Sequence, residues 1–529
     1  MSGASNIRPT LAELQAYDGE ATHAVFSLTL VADTLTPISA FARLRAAGRG
    51  GFLLESVEGG ELMGRWSFLG AGLRETLSFR DGVAQVCGDR ADVPFQDPLE
   101  LVKAQVSSVD AWSPVPLPRF YGGLVGWLGF DCVRYFEGSP LPSAPGVGLP
   151  EGRMLRADLV AAYDHLRHRV VLVHCVPLSG DLNALRDASV AQLTAAARAL
   201  MTPAALPPIA NPEDGGGPQL DVVANRSQAD MVAAVARAKE AIVAGEVFQV
   251  VVSQRLTAKV AVEPLRVYRC LRALNPSPYM FLLEFDDVAV VGASPEVLVR
   301  YEDGEVLVRP IAGTRPRGAD PVEDDALARD LLADPKELAE HRMLLDLGRN
   351  DVGRVAKPGT VQVDAPMHIE RYSHVMHMVS DVRGEVAEGH DCFDVFRACF
   401  PAGTVSGAPK VRACELLAEL EPDRRGLYAG AVGYFGFGGE MDTCIAIRTL
   451  VIEPDAVHAQ AGAGIVMDSD PVSEHQECRH KAAAGLRAVA ASLQASPVWQ
   501  GSPAESPSSA LSSSTPTPEA SAVALEVAS

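Results

Sequence analysis

Two pairs of glutamates stand at the same spacing in two distant parts of the chain. Glu337 and Glu340 form one pair, and Glu474 and Glu477 form the other. Because residues i and i+3 lie on one face of a helix, each pair presents two carboxylates in one direction. Such oxygens are ligands of Mg²⁺, which binds one or two carboxylates directly and keeps several waters. The same spacing is typical of solvated helix faces, so it indicates a candidate metal site and does not establish one.

His377 is a candidate for proton transfer. It lies between Arg371 and Ser380, where apolar residues alternate with others as in a half-buried strand. A histidine there can exchange a proton near neutral pH, or it can be a hydrogen-bonded residue of the core. Its position relative to other polar groups decides between these two interpretations.

The segment Val308–Gly318 is rich in cations and stiff. It contains three arginines, two prolines and two glycines in eleven residues, whereas the whole chain has a formal net charge of −21. The acidic balance argues against nucleic acid or an anionic membrane as the main partner, because both select basic surfaces. A small anion can still bind, since it responds to local charge.

Local signals place the first glutamate pair at the start of a helix. Asp334 followed by Pro335 is typical of an N-cap and a first helical position. Ser227–Asp230 resembles a capping box before another helix, and Val247–Val252 is an apolar run typical of a buried strand. We therefore expect Glu337 to lie in the first turn of its helix.

Composition divides the chain into two blocks and two segments without a core. Residues 203–218 form a Pro/Gly-rich linker, and residues 495–529 form a Ser/Pro-rich tail that is predicted to be disordered. The N-terminal block occupies residues 22–200, and the second block occupies residues 221–494.

A glycine-rich pattern occurs once in each block. Tyr121–Phe130 and Tyr428–Phe437 share one Tyr, one Val, one Phe and three Gly at matching positions. Glycine-rich apolar strands suit close packing or a close approach of the backbone to a ligand. The pattern predicts two related sheets, one from each block. Chance similarity between two such strands is the alternative.

The cysteines and apolar runs indicate a cytoplasmic protein. Nine cysteines are scattered without C-x-x-C spacing, as expected of free thiols in a reducing compartment. The N-terminus lacks the pattern of a signal peptide, and no apolar run approaches the roughly 20 residues that span a bilayer.

Six groups of residues together resemble the chorismate-utilising enzymes, and most closely the large subunit of the anthranilate synthases. They occur in the order of the family across nearly the whole second block, and the ordered set is far more specific than any member. The motifs are Gly292–Glu296, Pro310–Thr314, Asp346–Asp351, Phe400–Thr404 with Ser406–Lys410, Asp442–Arg448, and Gly462–Gly464 with the second glutamate pair. The resemblance implies an α+β fold in which two large antiparallel β-sheets pack as a sandwich with helices outside.

The resemblance implies chorismate as the substrate, a ring with two carboxylates. Arg448 is expected to pair with the enolpyruvyl carboxylate, and Mg²⁺ to take the ring carboxylate. Arg315 and Arg317 are expected to hold their loop against acidic neighbours. The implied substrate-binding residues are Gly313, Thr314, Tyr428, Arg448, Gly462, Ala463 and Gly464, and the implied metal-binding residues are Glu337, Glu340, Glu474 and Glu477.

Three catalytic residues follow from the same resemblance. Glu296 would protonate the departing hydroxyl, for which its pKa must be raised. His377 would remove a proton from the aminated ring carbon, and Thr404 would orient groups of the substrate. The expected products are anthranilate and pyruvate.

Two positions separate the chain from relatives that use other nucleophiles. Isochorismate and salicylate synthases have a water-activating lysine where this chain has Gln249, and aminodeoxychorismate synthases often have lysine where it has Ala312. A lysine at the second position can attack the ring covalently, whereas alanine leaves space for ammonia. An aminodeoxychorismate synthase and a non-catalytic regulator that binds tryptophan or chorismate stay open as alternatives.

Ammonia implies a partner, because no Cys-His-Glu glutaminase can be recognised in the chain. By family resemblance the partner is a glutamine amidotransferase subunit that binds beside the mouth of the active site. We expect a hetero-oligomer of the two subunits, and specifically a heterotetramer.

Leu53–Ser56 and Asn275–Met280 resemble the two halves of the family's tryptophan feedback pocket. Taken alone, Asn-Pro-Ser-Pro indicates only a turn packed on an apolar strand. Together with Leu-Leu-Glu-Ser it favours an allosteric site at which L-tryptophan inhibits the enzyme. The implied regulatory residues are Glu55, Ser56, Asn275, Pro278, Tyr279, Met280 and Cys444.

Overall fold

Two large β-sheets organise the part of the chain that the computed structural model describes. That part comprises residues 6–46, 50–56, 64–73, 75–86, 92–204, 206–372 and 375–494. The predicted tail and one residue of the predicted linker, Ala205, lie outside the described residues.

The strands of the described ranges are β1 (His23–Val31), β2 (Gly51–Glu55), β3 (Trp66–Ala71), β4 (Glu75–Arg80), β5 (Val83–Val86), β6 (Asp92–Pro94), β7 (Ala111–Trp112), β8 (Gly123–Leu128), β9 (Gly152–Ala157), β10 (Leu159–Asp164), β11 (Arg169–Pro177), β12 (Val222–Ala224), β13 (Gln249–Ala258), β14 (Tyr279–Glu284), β15 (Ala289–Ser294), β16 (Val297–Glu302), β17 (Glu305–Val308), β18 (Ile311–Pro316), β19 (Gln362–Arg371), β20 (Val375–Glu385), β21 (Gly407–Ala408), β22 (Ala431–Gly436), β23 (Met441–Ile445), β24 (Thr449–Ile452) and β25 (Val457–Ile465).

The α-helices of the same ranges are α1 (Leu11–Ala16), α2 (Pro37–Arg45), α3 (Pro98–Val106), α4 (Val133–Phe136), α5 (Leu182–Met201), α6 (Gln228–Val243), α7 (Pro264–Leu274), α8 (Pro321–Ala333), α9 (Pro335–Gly353), α10 (Cys392–Cys399), α11 (Gly403–Ser406), α12 (Lys410–Leu420) and α13 (Pro471–Ser492). Two short 3₁₀ helices add Phe130–Cys132 and Pro212–Asp214. None of these described helices combines the length and the apolar composition that crossing a membrane requires.

Antiparallel neighbours dominate both sheets. The first sheet has 13 described strands in the order β12-β13-β25-β24-β15-β14-β2-β3-β10-β11-β1-β7, with β21 paired to β13. The second has 12 described strands in the order β18-β20-β17-β16-β23-β22-β8-β9-β4-β5-β6, with β19 paired to β20. The pair β1–β7 is parallel.

Both sheets draw strands from both predicted blocks, so the prediction of one sheet per block is wrong. In the first sheet β2 pairs with β14, and in the second β8 pairs with β22. The strands β8 and β22 are the two glycine-rich repeats, and they lie side by side in one sheet. Pairing between the blocks covers strand edges that each block would otherwise expose.

Glycine permits the close approach of these two repeats and their neighbours. Gly126 of β8 lies opposite Gly433 of β22. A Cβ atom on Gly126 would lie 1.9 Å from the carbonyl oxygen of Arg153, and one on Gly433 would lie 2.1 Å from that of Asp442. Both distances are far inside van der Waals contact, so a side chain at either position would force the strands apart.

Alternating side chains of β14 separate two hydrophobic cores. Phe281 and Leu283 pack in a core that also contains Trp127 of the second sheet. Met280 and Leu282 pack in the other core, which contains apolar residues of α2, α5, α7 and α13. The sheets therefore face each other across the first core, and helices cover the outer face of the first sheet. This arrangement confirms the predicted α+β sandwich with helices outside.

The helices that carry the glutamate pairs begin at aspartates. At the start of α9, the side chain of Asp334 accepts hydrogen bonds from the backbone N–H groups of Lys336 and Glu337. At the start of α13, Asp470 accepts one from the N–H of Ser473. These bonds satisfy N–H groups that have no partner inside the helix. The predicted start of α9 is confirmed.

Candidate active site

One pocket of about 610 Å³ gathers nearly all the predicted catalytic, substrate-binding and metal-binding residues. We call it the active-site pocket. Its wall combines β13 and β25 of the first sheet with β18 and β20 of the second, and α9, α11 and α13 complete it. The predicted residues that line it are Glu296, His377, Thr404, Gly313, Thr314, Tyr428, Arg448, Gly462, Gly464, Glu337, Glu340, Glu474 and Glu477.

Glu296 lies in the turn between β15 and β16, and its side chain is buried. Its carbonyl accepts a hydrogen bond from the N–H of Ile445 at 3.1 Å, and Oγ of Ser294 donates to the carbonyl of Ile445 at 2.7 Å. Burial raises the pKa of Glu296 to about 8, although Thr404 and Arg448 oppose the shift. The carboxyl is therefore mostly protonated at pH 7, as a general acid must be.

The hydroxyl of Thr404 is buried without a normal hydrogen bond. Thr404 belongs to the short helix α11, and no partner for its Oγ1 is found among the described residues. The hydroxyl is near enough to Glu296 to lower the pKa of that carboxyl, but the geometry is not that of a hydrogen bond. A buried polar group without a partner costs about 1–3 kcal/mol, so this hydroxyl is a natural contact for a ligand.

Arg448 supplies a fixed positive charge. It has a φ of 49°, a left-handed conformation that is costly for a residue with a side chain. Its carbonyl accepts a hydrogen bond from the N–H of Ala293 at 3.2 Å, which helps to hold this conformation. Burial lowers the pKa of the guanidinium, and Glu296 opposes this. No ion pair of Arg448 is found in the described part of the chain, so its charge is available to an anion.

His377 on β20 faces the pocket and has a defined tautomer. Its Nδ1 lies 3.1 Å from the carbonyl oxygen of Gly313 and 3.1 Å from Oγ1 of Thr314. Because a carbonyl oxygen only accepts, this contact assigns the proton to Nδ1 and leaves Nε2 as the free base. Burial lowers the pKa of His377, which keeps the ring neutral at pH 7.

Strand β25 turns its two glycines towards the pocket. Gly462 and Gly464 line it, whereas Ala463 points the opposite way into the core. Ala463 can therefore contact a substrate only through its backbone. A Cβ atom on Gly462 would lie 2.7 Å from the hydroxyl of Tyr428, and one on Gly464 would lie 2.6 Å from Nε2 of Gln249. Glycine at these positions lets both polar side chains reach the pocket wall.

The four predicted metal-binding glutamates face the pocket from two helices. Burial and the neighbouring Glu340 raise the pKa of Glu337, and burial and Glu477 raise the pKa of Glu474. Within the described ranges, no three His, Cys, Asp or Glu side chains form a compact metal site. The two pairs of carboxylates thus offer oxygen ligands to one pocket, but they do not surround an ion completely. Their chemistry fits Mg²⁺, which keeps positions for water and for a substrate carboxylate.

Four polar residues of the pocket were not predicted: Lys336, Gln460, Ser469 and Lys481. Nζ of Lys481 lies 2.7 Å from a carboxylate oxygen of Glu477 and donates to the carbonyl of Gly462 at 3.1 Å. Its i,i+4 spacing from Glu477 is a signal that the sequence carries. Gln460 has no comparable signal, because it enters the pocket only through the register of β25 against β13.

Acidic neighbours hold the cation-rich loop, as predicted. Arg315 forms ion pairs with Asp330 at 2.7 Å and Asp334 at 2.8 Å, and Arg317 forms one with Asp324 at 2.7 Å. Neither guanidinium lines the active-site pocket. These arginines tie β18 to α8 and α9, and the loop presents its backbone to the pocket.

A second pocket lies where β2 and β14 of the first sheet face β23 of the second. Asn275 does not line it: this residue ends α7, and its Nδ2 lies 3.4 Å from Oγ of Ser277. The other predicted regulatory residues do line it, namely Glu55, Ser56, Pro278, Tyr279, Met280 and Cys444. The sequence motifs thus correspond to one real cavity, with Asn275 shaping the turn beside it.

Charged groups of the second pocket are paired with one another. The carboxylate of Asp442 accepts a hydrogen bond from the hydroxyl of Tyr279 at 2.9 Å. It also forms ion pairs with Arg300 at 2.8 Å and with Arg119 at 3.2 Å. The pocket therefore combines apolar walls with a polar end in which one carboxylate pairs with two guanidiniums.

A family model of chorismate binding enzymes matches residues 55–487. The chain belongs to this family. The match begins at Glu55, which lines the second pocket, and ends within α13, so the active-site pocket and all but Leu54 of the second pocket lie inside the matched region.

Curated relatives of this chorismate-binding enzyme span nearly its whole length. It is 46% identical over 467 residues to the anthranilate synthase component 1 of Streptomyces coelicolor, covering 86% of this chain and 87% of that protein. It is 46% identical over 461 residues to that of Thermus thermophilus, covering 87% and 96%. It is 42% identical over 487 residues to that of Acetivibrio thermocellus, covering 91% and 98%.

Solved structures agree with the family. Anthranilate synthase component I from Streptococcus pneumoniae aligns with a TM-score of 0.70 at 35% identity, over 80% of this chain and 92% of that one. The menaquinone-specific isochorismate synthase of Escherichia coli aligns with a TM-score of 0.66 at 20% identity, over 90% and 98%, and shows the shared fold alone. The resemblance inferred from the sequence motifs is confirmed.

Proposed function

We propose that this chorismate-binding enzyme is the large component of an anthranilate synthase, which converts chorismate and ammonia to anthranilate and pyruvate. Relatives with the corresponding name are 42–46% identical over most of the chain. The observation that carries the proposal is the content of the active-site pocket. One cavity holds an unpaired guanidinium, two carboxylate pairs, a protonated carboxyl group and a neutral imidazole.

Chorismate has two carboxylates, and the pocket offers a different partner to each. Arg448 would bind the enolpyruvyl carboxylate through charge-assisted hydrogen bonds. When bound by Glu337, Glu340, Glu474 and Glu477, Mg²⁺ would neutralise the ring carboxylate. The remaining contacts would come from Gly313, Thr314, Tyr428, Gly462 and Gly464, together with the backbone of Ala463.

Glu296 would act in the first half of the reaction. Nitrogen of ammonia forms a bond to the ring carbon next to the carboxylate-bearing carbon, the ring double bonds shift, and the C–O bond of the distant hydroxyl breaks. The proton of Glu296 leaves with that oxygen as water. A pKa of about 8 keeps this proton in place until the substrate arrives. The unpartnered hydroxyl of Thr404 would orient the departing group.

His377 would act in the second half. Its free Nε2 accepts the proton of the aminated carbon, the electrons of that C–H bond form a ring double bond, and the C–O bond to the enolpyruvyl group breaks. The ring becomes aromatic and pyruvate is released. The carbonyl of Gly313 accepts a hydrogen bond from Nδ1–H and stabilises the imidazolium that forms.

The residues at the two positions that distinguish related enzymes, Gln249 and Ala312, agree with ammonia as the nucleophile. Nε2 of Gln249 lies 3.3 Å from Oε1 of Glu340, and a neutral amide does not activate water as a lysine does. Ala312 also lines the pocket and brings no amine that attacks the ring. The second candidate is an aminodeoxychorismate synthase, which keeps the enolpyruvyl group. A base placed at His377 favours elimination of that group.

We also propose a glutamine amidotransferase partner that delivers ammonia in a hetero-oligomer, here a heterotetramer. A chain that uses ammonia needs such a source at neutral pH, where most free ammonia is protonated and not nucleophilic. We place the complex in the cytoplasm, in agreement with eight described cysteines that are buried free thiols.

L-Tryptophan is the proposed inhibitor, bound in the second pocket. The backbone of Glu55 and Met280, whose side chains point into the other core, and the hydroxyl of Ser56 would bind its amino group. Leu54 and Pro278 would pack on the indole ring. Cys444 lies on β23, four residues before Arg448, so occupancy of the second pocket can reach the active site through β23 and the turn that follows it.

The deciding experiment is turnover of chorismate with Mg²⁺ and an ammonium salt, with and without tryptophan. We expect anthranilate and pyruvate in equal amounts, and less of both with tryptophan. A product that retains the enolpyruvyl group would instead identify an aminodeoxychorismate synthase. Folded protein without turnover would indicate the non-catalytic regulator.

A further inference from the structure

We propose that Arg425 is a positioning residue that holds three parts of the active-site wall in place. This inference rests on the proposed function. Arg425 does not line the active-site pocket, and only 1% of its side chain is exposed. It lies behind the wall, between β13, α11 and the segment that leads into β22.

Two carbonyl groups of the wall accept hydrogen bonds from this guanidinium. Nη1 donates to the carbonyl of Val405 at 2.7 Å, and Nη2 donates to the carbonyl of Val251. Val405 follows Thr404 directly, and Val251 lies two residues after Gln249. Val405 and Val251 both line the pocket. The two bonds therefore fix α11 and β13 relative to each other.

Tyr428 is the third part of the wall that contacts Arg425. The guanidinium lies over the ring of Tyr428, with its Cζ atom 5.4 Å from the ring centre, and over the ring of Phe130 at 4.6 Å. A guanidinium held between two aromatic rings cannot tilt without losing both contacts. The position of the Tyr428 hydroxyl thus depends on the orientation of Arg425.

Glu421 fixes the guanidinium from the other side. Nε and Nη2 of Arg425 donate to its two carboxylate oxygens, each at 2.8 Å. Oε1 of Glu421 also accepts hydrogen bonds from the N–H and the hydroxyl of Ser253 at 2.8 Å. Both members of the buried pair are therefore anchored to β13.

The shape of the guanidinium is essential to this role. Its planar fork reaches two carboxylate oxygens and two carbonyls at once, whereas a lysine has one nitrogen at the end of a flexible chain. Arg425→Lys keeps the charge that Glu421 requires but loses the fixed link between Val405 and Val251. We expect Thr404 and Tyr428 to shift relative to Glu296.

Arg226 provides a matched control. It is a buried arginine in contact with the same strand, and it donates to the carbonyls of Asp230 at 3.1 Å, Leu420 at 3.2 Å and Ser253 at 3.5 Å. None of these three residues lines the active-site pocket. Arg226→Lys therefore measures the general cost of replacing a buried arginine near β13.

The test compares the purified R425K and R226K variants with the wild type in the ammonium-dependent assay. We expect R425K to lower kcat by about 100-fold, as misplacement of catalytic groups by about 1 Å does. KM for chorismate should rise by no more than about 3-fold, because the partners of both carboxylates, Arg448 and the glutamates, are untouched and only the contact of Tyr428 is weakened. R226K should keep kcat within about 3-fold at a similar loss of thermal stability. Equal kcat values in the two variants would overturn the positioning role.

A second measurement separates positioning from loss of structure. Thr404 lowers the pKa of Glu296, so its displacement in R425K should move the alkaline limb of kcat/KM upward by roughly a few tenths of a pH unit. Arg448 and His377, the charged and titratable groups of the same wall, keep their places and should not contribute. An unchanged limb would count against the proposal.

Two further experiments apply if R425K does not fold or if the wild type has no turnover. If R425K does not fold, Glu421→Asp is used, because a shorter carboxylate draws the guanidinium away from Val405 while keeping the ion pair. If the wild type itself has no turnover, the proposed function fails. The positioning role is then decided by a crystal structure of R425K, in which an unmoved Thr404 would overturn it.

Discussion

The active-site pocket and the second pocket hold buried charge in opposite ways. In the second pocket Asp442 pairs with Arg300 at 2.8 Å and with Arg119 at 3.2 Å, and Glu55 pairs with Arg272, so each charged side chain has a partner of opposite sign before any ligand binds. In the active-site pocket no ion pair of Arg448 and no hydrogen bond of Thr404 is found among the described residues, and Glu337 is crowded by a second carboxylate. The difference agrees with the ligands proposed for the two pockets, a dianion in the first and an amino acid in the second.

An unpaired buried charge lowers the stability of the empty protein, and a ligand of opposite charge recovers the loss. A catalytic pocket for a dianion can use that gain to bind and orient its substrate. A pocket whose charged groups already pair with one another gains little binding free energy from the charge of a ligand. It must therefore select its ligand by shape and apolar contact. Loss of a charged group should therefore lower activity more than stability in the active-site pocket, and stability more than activity in the second pocket.

The largest effect is expected at Glu296. Glu296→Gln keeps the size of the side chain but removes the proton that the departing hydroxyl needs. We expect kcat to fall by about 10²–10⁴-fold, the usual contribution of a general acid. Melting temperature should not decrease, since a neutral amide is buried more easily than a carboxyl that can ionise. A kcat within tenfold of the wild type would contradict the assignment.

The next effect tests the comparison directly, with one arginine from each pocket. Arg448→Gln should lower kcat/KM for chorismate by about 10²–10³-fold, because a desolvated charge pair with the substrate is lost. Its thermal stability should hold or rise. Arg300→Gln should leave kcat nearly unchanged but lower the free energy of unfolding by about 3 kcal/mol, because Asp442 loses a buried partner. Equal losses of activity in both variants would break the comparison.

The contrast between the pockets was only partly readable in the sequence. Caps such as Asp334 act within one helical turn, so the start of α9 could be predicted from neighbouring residues. The resemblance to the family then identified Arg448 and the four glutamates as candidate site residues. The pairing of β8 with β22 could not be predicted from the sequence, because it joins segments about 300 residues apart. In addition, two similar strands are as compatible with two separate sheets as with one. Gln460 and Arg425 were missed for the same reason, since only tertiary contacts give them a role.

Removal of one carboxylate of the proposed Mg²⁺ site should produce a smaller change than the loss of Arg448. Glu474→Gln should raise the Mg²⁺ concentration that gives half-maximal activity by about 10–100-fold, as expected when one of several ligands or supporting groups is lost. High Mg²⁺ should restore most of kcat. Glu415→Gln, a change of a glutamate on α12 outside the pocket, is the control and should leave the Mg²⁺ requirement unchanged. Activity that survives complete chelation in the wild type would exclude the metal from the reaction.

A change on an apolar wall of the second pocket should alter inhibition and leave catalysis intact. Leu54→Ala, at a side chain that lines the pocket from the core between the sheets, should weaken inhibition by tryptophan by about 10-fold or more. This is the usual effect of lost apolar contact in a pocket, and kcat should stay within about 2-fold. Asn275→Ala, at a residue that does not line the pocket, should have a smaller effect on inhibition. If L54A lowered kcat as much as it weakened inhibition, the two pockets would not be separable.

The smallest effects concern pH, and they have opposite signs in the two pockets. Glu296 must hold its proton to act, so activity should be present below its pKa of about 8 and decline as pH rises through it. His377 must be neutral, and burial lowers its pKa, so the acid limb should lie below that of an ordinary histidine. In the second pocket burial raises the pKa of Glu55. Its carboxylate pairs with Arg272 at 3.2 Å and accepts a hydrogen bond from Tyr268 at the end of β2. Because protonation of Glu55 would weaken the pair with Arg272 and loosen this side of the pocket, inhibition should weaken as pH falls.

Measuring activity and tryptophan inhibition across one pH series tests both signs at once. Activity should be lost on the alkaline side, and inhibition on the acid side. The alkaline limb should disappear in E296Q, whereas the inhibition profile of the same variant, read from its residual activity, should be unchanged. If inhibition followed the alkaline limb of activity, tryptophan would be responding to Glu296, and the ligand would have to bind in or against the active-site pocket.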